Sequence, residues 1–216
     1  MMKQYVREPV NAFTHLFGAL LSLIGTLFIL NFSHVAHSLT TTATICVLIF
    51  GISLISLYTT SGIYHLVQAK DTVILKLKKL DHSMIFVLIA GSYTPFAMLS
   101  LTGVWKWTII ITVWTLTIIG ITLKMLWINM PRWLSTLFYI GMGWIALFAL
   151  KPLYDALSIG GFLLLILGGV MYTIGGIIYG LKKPNLSPSF GFHEIFHIFV
   201  MLGSLCHYLA ILYYVL

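Results

Sequence analysis

The chain has 216 residues, of which 60% are hydrophobic and only 8% are charged. Soluble domains carry about 25% charged residues, and disordered chains are poor in apolar residues, so both classes are excluded and the composition is that of a membrane protein. The net charge of +7, from 12 Lys+Arg against 5 Asp+Glu, would suggest nucleic acid on a soluble domain; in membrane-protein loops it sets topology instead, and no nucleic-acid partner is expected.

Seven apolar segments follow one another at about 12–32, 43–66, 82–100, 105–127, 133–150, 158–181 and 193–215. Each is close to the roughly 20 apolar residues that a transmembrane helix needs. Seven such helices consume the chain. The predicted fold is all-α, a single seven-helix transmembrane bundle over 1–216, so any chemistry belongs to the bundle and its short loops. The expected location is the cell membrane, as a multi-pass protein in the lipid bilayer.

The first segment follows Lys3 and Arg7 but contains Asn11 and His15 and shows no convincing small-residue cleavage site, so it reads as a retained helix rather than a cleaved signal. Gly18, Ser22 and Gly25 along it, and the pairs Gly160-Gly161, Gly168-Gly169 and Gly175-Gly176 in the sixth segment, read as sites of close helix approach. Cys46 and Cys206 lie inside apolar stretches and read as small apolar packers rather than a disulfide framework. His34 and His37 fall in the first outer loop, where a solvated role is expected. Pro95, late in the third segment, should kink or end its helix.

Lys and Arg are distributed unevenly between the two sides. Lys3, Arg7, Lys70, Lys76, Lys78, Lys79, Lys124, Arg132, Lys182 and Lys183 fall on the side of the N-terminus; only Lys106 and Lys151 fall opposite. Positive charge stays inside, so the N-terminus is predicted in the cytoplasm and the C-terminus outside.

Ionisable groups are costly in a membrane and mark function by default, and here they are not scattered. The first helix begins with Glu8, Asn11, Thr14 and His15, and the second ends with Ser61, Tyr64 and His65. The third begins with Asp81, His82 and Ser83, and the seventh with His193, Glu194 and His197. Odd helices start, and even ones end, on the cytoplasmic side, so all four groups share one membrane depth.

His193 and His197 are four residues apart, which places their side chains on one helix face about 6 Å apart, within reach of one metal. Ser61 and His65 have the same spacing. Three histidines from two helices, with a fourth position open, have the ligand set of a catalytic zinc site. Zinc there would lower the pKa of bound water to about 7. Asp81 is the nearest carboxylate on a neighbouring helix and is the candidate to hold that water or act as general base. His193-Glu194-Ile195-Phe196-His197 also matches H-E-x-x-H, but Glu194 is the last acid of the chain, so a protease-type third ligand downstream is missing. Glu194 stays a candidate base or supporting group. His207 lies ten residues past His197, about 15 Å further along the helix, and reads as a buried histidine bonded to a carbonyl or hydroxyl. Glu8, Asn11, His15 and Gly18 form one stripe, read as a polar seam that braces the site from behind.

At these residues the chain resembles a hemolysin III-type member of the progestin and adipoQ receptor family. Glu8-x-x-Asn11-x-x-Thr14-His15-x-x-Gly18 is similar to the family's first motif, Ser61-Gly-Ile-Tyr64-His65 to its second, and Leu80-Asp81-His82-Ser83 to its third. His193-x-x-x-His197 followed by His207 is similar to its last. The resemblance covers nearly the whole chain. It implies zinc held by His65, His193 and His197, with Asp81 on the metal-bound water and Ser61 beside the metal. It implies hydrolysis of a lipid amide or ester, since adiponectin receptors of this family are linked to ceramide hydrolysis. A membrane lipid is then the expected substrate. Two alternatives stay open. One is a cytolysin or pore-former, as the hemolysin name implies, though a pore-former delivered from outside must first be soluble. The other is a non-catalytic, receptor-like protein of membrane homeostasis with a structural zinc.

Overall fold

The computed structural model describes residues 6–35, 39–127 and 129–216, and the side chains of all of these except 32–35. His34 and His37, expected in the first outer loop, lie outside the described side chains. Among the described residues there are seven helices long and apolar enough to cross a membrane, as the sequence predicts.

Helix α1 is Pro9–Val35. Proline suits a first helical position because the missing N–H would be unpaired there anyway. Helix α2, Thr41–Leu66, is capped by the Thr40 side chain, which accepts from the Ala43 N–H. Helix α3 is Asp71–Pro95, with Asp71 in its first turn, where a negative charge favours the helix dipole. A π-helical turn, Phe96–Ser100, follows. The α-helix thus ends at Pro95, as expected, and passes into a π turn, one of the known accommodations of proline in membrane helices. Helix α4 is Gly103–Leu126.

The fifth span is composite. Helix α5, Arg132–Gly143, passes into a 3-10 segment, Trp144–Ala149, and then into a short helix α6, Leu150–Ala156. The Tyr93 hydroxyl holds this break by donating to the Gly143 carbonyl at 2.6 Å and accepting from the Ala146 N–H at 2.8 Å. Helix α7, Ile159–Leu181, is capped by Ser158. Helix α8, Phe192–Ala210, ends in a second π turn, Ile211–Val215.

Two predicted boundaries are corrected. The third span was expected to begin at 82, but α3 begins at Asp71, so Lys76, Lys78 and Lys79 are helical rather than in a loop. Val73, Ile74 and Leu75 precede these lysines, with Leu77 between them, and the helix continues past the apolar core with its lysines at the boundary. The fifth span reaches Ala156 rather than 150.

Each span packs against its chain neighbour, and α8 returns to α1. Large apolar side chains such as Phe13, Leu20, Ile52 and Ile118 are exposed, which in a bilayer means lipid-facing. No hydrophobic force then separates inside from outside, so the helices associate by close packing and polar contacts. A methyl group on Gly51 would collide with Thr26, on Gly91 with Ser53, on Gly120 with Phe86, and on Gly168 with His207. Gly161, Gly168 and Gly175 of α7 all meet residues of α8 or its terminal turn, while Gly176 meets Ile140 of α5. The glycine pairs thus serve close approach. Across the bundle, Tyr58 donates to Ser204 at 2.6 Å and Ser204 pairs with the Tyr172 hydroxyl at 2.8 Å, tying α2, α8 and α7 together.

Candidate metal centre

His193 and His197 lie on the first turns of α8, and His65 on the last turn of α2. Each offers one ring nitrogen, and these three atoms lie within 4.8 Å of one another. His65 and His197 are 0% and 2% exposed. The three imidazoles meet nearly edge to face, with centroids 4.9 Å apart for His65 and His193, 5.1 Å for His65 and His197, and 4.8 Å for His193 and His197.

A carboxylate fixes how His65 presents itself. Its Nδ1 is 2.8 Å from Glu8 Oε2. An ionised carboxylate only accepts, so Nδ1 carries the hydrogen and Nε2 keeps its lone pair. That Nε2 is buried and has no hydrogen-bond partner. A metal-ligating histidine has this arrangement, one nitrogen donated to a carboxylate and the other free for the cation. The hydrogen bond from His65, opposed by partial burial and helped by Asn11 and Arg7, holds the Glu8 carboxyl down at about 2.

Glu8 is itself held in place. Its backbone N–H donates to the His65 carbonyl at 3.0 Å, and the Arg7 N–H to Leu66 at 3.3 Å. The Arg7 guanidinium lies 4.2 Å over the Tyr64 ring, with Nε 3.4 Å from Glu8 Oε1. The stretch before α1 is therefore fastened across the end of α2. Asn11 donates to Glu8 Oε2 at 3.2 Å and to Glu194 Oε1 at 2.7 Å. Glu194 Oε2 accepts from the Gly191 N–H at 2.7 Å, closing the first turn of α8. Both Glu194 oxygens are thus engaged, one joining α1 to α8 and the other capping α8 itself. One turn deeper, the His15 ring lies parallel to that of His197, with centroids 3.5 Å apart and planes 5° apart. Both His15 nitrogens are buried without hydrogen-bond partners.

Ser61 and Asp81, with His15, His193 and His197, line one end of a cavity of about 150 Å³. Asp81 falls outside the three-histidine group by distance. Its Oδ2 is 3.6 Å from Nδ1 of His82, which lies 2.8 Å from the Lys78 carbonyl. His82 too lines the cavity. From this polar end the cavity runs among apolar side chains to Leu101, Leu153 and His207. His207 Nε2 lies 3.2 Å from the Leu165 carbonyl, as a buried, carbonyl-bonded histidine should.

The stripe on α1 was legible as a brace. Its partners were not: that Glu8 holds His65, and that His15 stacks on His197, depends on helix rotation and inter-helix register, which no spacing within α1 reports.

These features define a class, an integral membrane protein of seven helices with a buried group of three histidines able to hold a metal ion. Residues 3–208 match the family model described as "Haemolysin-III related", and the chain belongs to that family. It is 38% identical to "Hemolysin-3" of Bacillus cereus, over 100% of this chain and 95% of that protein. To "Hemolysin-3 homolog" of Bacillus subtilis (strain 168) it is 39% identical, over 96% and 93%. It is also 24% identical to "Monocyte to macrophage differentiation factor" of Homo sapiens, over 94% of this chain and 82% of that one.

Proposed function

We propose that this protein is a zinc-dependent hydrolase resident in its own membrane, acting on an amide or ester of a lipid. The observation that carries this reading is the free, buried Nε2 of His65 beside His193 and His197 at the head of a long apolar cavity. The donor set fits zinc, for which three imidazoles with an open fourth position are a catalytic arrangement. Zinc held there would act as a Lewis acid and make water a nucleophile near neutral pH.

The chain's own residues would do the rest. The Asp81 carboxylate takes the proton from the attacking water and returns it to the departing amine or alcohol. Water adds to the carbonyl carbon, and the C–N or C–O bond breaks. The Ser61 hydroxyl orients the water or the substrate carbonyl, and the apolar cavity takes the acyl chain and excludes bulk water. Glu8 positions His65, and His15 backs His197. Glu194, first expected as a base, has both oxygens engaged, so we assign it to positioning α1 against α8. The charge asymmetry of the ends supports a site on the cytoplasmic side.

The test uses purified protein in detergent with a panel of N-acyl sphingoid bases, N-acyl amino acids and lysophospholipids, with released fatty acid measured by mass spectrometry. Release from at least one lipid is expected, abolished by a chelator and restored by zinc. A fully zinc-loaded protein that turns over none of them contradicts the reading. The relative named "Hemolysin-3" favours a second reading, cytolysis. Lysis of red cells that persists in His193→Ala protein would support that reading and detach it from the histidines.

A further inference from the structure

The cavity that begins at the histidine cluster reaches a second group of polar side chains well inside the bundle. His207 of α8, Tyr172 of α7 and Ser92 of α3 line it there, among Phe96, Leu101 and Leu165. His207 and Ser92 are 8% and 4% exposed. His207 Nε2 faces a carbonyl oxygen, that of Leu165, which only accepts, so Nε2 carries the hydrogen and Nδ1 the lone pair. A methyl group on Gly168 would collide with Cδ2 and Nε2 of the ring. That edge therefore lies against α7, and Nδ1 lies on the opposite edge. Nδ1 is buried with no hydrogen-bond partner.

Ser92 Oγ stands near the Tyr172 hydroxyl but has no hydrogen bond of good geometry. The Tyr172 ring is 5.4 Å from that of His207, and its hydroxyl is already paired with Ser204. Unpaired polar atoms in an apolar interior are costly. A cavity that held only saturated hydrocarbon would have no use for them.

We propose that His207 and Ser92 form a second polar station in the cavity, which recognises a hydroxyl carried on the hydrocarbon chain of the bound lipid. This rests on the reading that a lipid occupies the cavity with its reacting head at the histidine cluster. His207 is ten residues past His197, about 15 Å along the helix, so the hydroxyl sits at mid-chain. It donates to Nδ1 and accepts from Ser92. A ketone at the same carbon can only accept, and an unsubstituted chain leaves both atoms without a partner.

The experiment is a binding competition on the purified full chain in lipid nanodiscs. Three saturated fatty acids of eighteen carbons compete with a fluorescent fatty acid: one unsubstituted, one with a mid-chain hydroxyl, one with a mid-chain ketone. The hydroxy acid should bind about tenfold more tightly than the other two. In His207→Phe that preference should fall below about twofold, with affinity for the unsubstituted acid and metal content unchanged. Ser92→Ala removes a single oxygen and should reduce the preference to about threefold, which keeps the test decisive should His207→Phe fail to fold. Equal binding of hydroxy and unsubstituted acids, or a preference that stays at about tenfold in either variant, overturns the station and leaves the lipid reading standing. A keto acid as tight as the hydroxy acid overturns the role of Nδ1 as acceptor. Failure of all three acids to bind contradicts the lipid reading itself, and the station with it.

Discussion

His197 and His207 stand on the same helix, 2% and 8% exposed, in very different company. Around His197 are His15, His65 and His193 from α1, α2 and α8. Around His207 are the rings of Phe96 and Tyr172 and the carbonyl of Leu165. Both are buried, so burial does not separate a candidate metal ligand from a lone polar side chain. The neighbours do. His65 has one nitrogen engaged by a carboxylate and the other left free toward two more imidazoles, an arrangement that a shared cation completes. His207 has one nitrogen on a carbonyl and the other free among hydrocarbon, an arrangement that a single hydrogen-bond donor completes.

Several changes would sharpen or break this contrast. Asp81→Asn keeps the shape of the side chain but removes the charge that accepts a proton. It should lower lipid turnover about 100- to 10,000-fold with metal content intact. Loss of the metal as well would make Asp81 a direct ligand and the site closed rather than open. Next in size is Glu8→Ala, which takes the carboxylate from His65 Nδ1 and should weaken metal affinity about 10- to 100-fold, read by competition with a chromophoric chelator. An unchanged affinity would mean that the ring does not need its partner. Gly168→Ala drives a methyl group into His207 and should destabilise the bundle by about 1–3 kcal/mol, seen as a lower Tm in detergent. Its metal content per chain should equal wild type, because the strain falls at the other histidine. The smallest effect is expected for His207→Ala, no change in metal content; a change there would mean that the two sites are one.

Much of this was legible beforehand, for a physical reason. A membrane span must be long and apolar, so composition alone yields seven of them. Polar residues are so costly in a bilayer that Glu8, His65, Asp81, His193 and His197 stand out without any comparison. The illegible parts involve geometry between elements. Lys76, Lys78 and Lys79 resemble loop residues, yet lysine tolerates a helix at the membrane boundary, and α3 starts at Asp71. The 3-10 break after Gly143 is held by Tyr93, a residue fifty positions earlier. Glu194 read from its neighbours in sequence as a candidate base or supporting group, and only its bonds to Asn11 and Gly191 favour the supporting task. The His15–His197 stack depends on the rotation of α1 against α8, which no local pattern encodes.

Metal content per chain, measured by plasma mass spectrometry on protein purified without chelators, bears on all of this at once. One zinc per chain is expected in wild type and in His207→Ala, and none in His65→Ala or His193→Ala. Wild-type protein that carries no metal and takes none up from a zinc buffer, or a His193→Ala protein that keeps its zinc while His207→Ala loses it, would contradict the three-histidine centre.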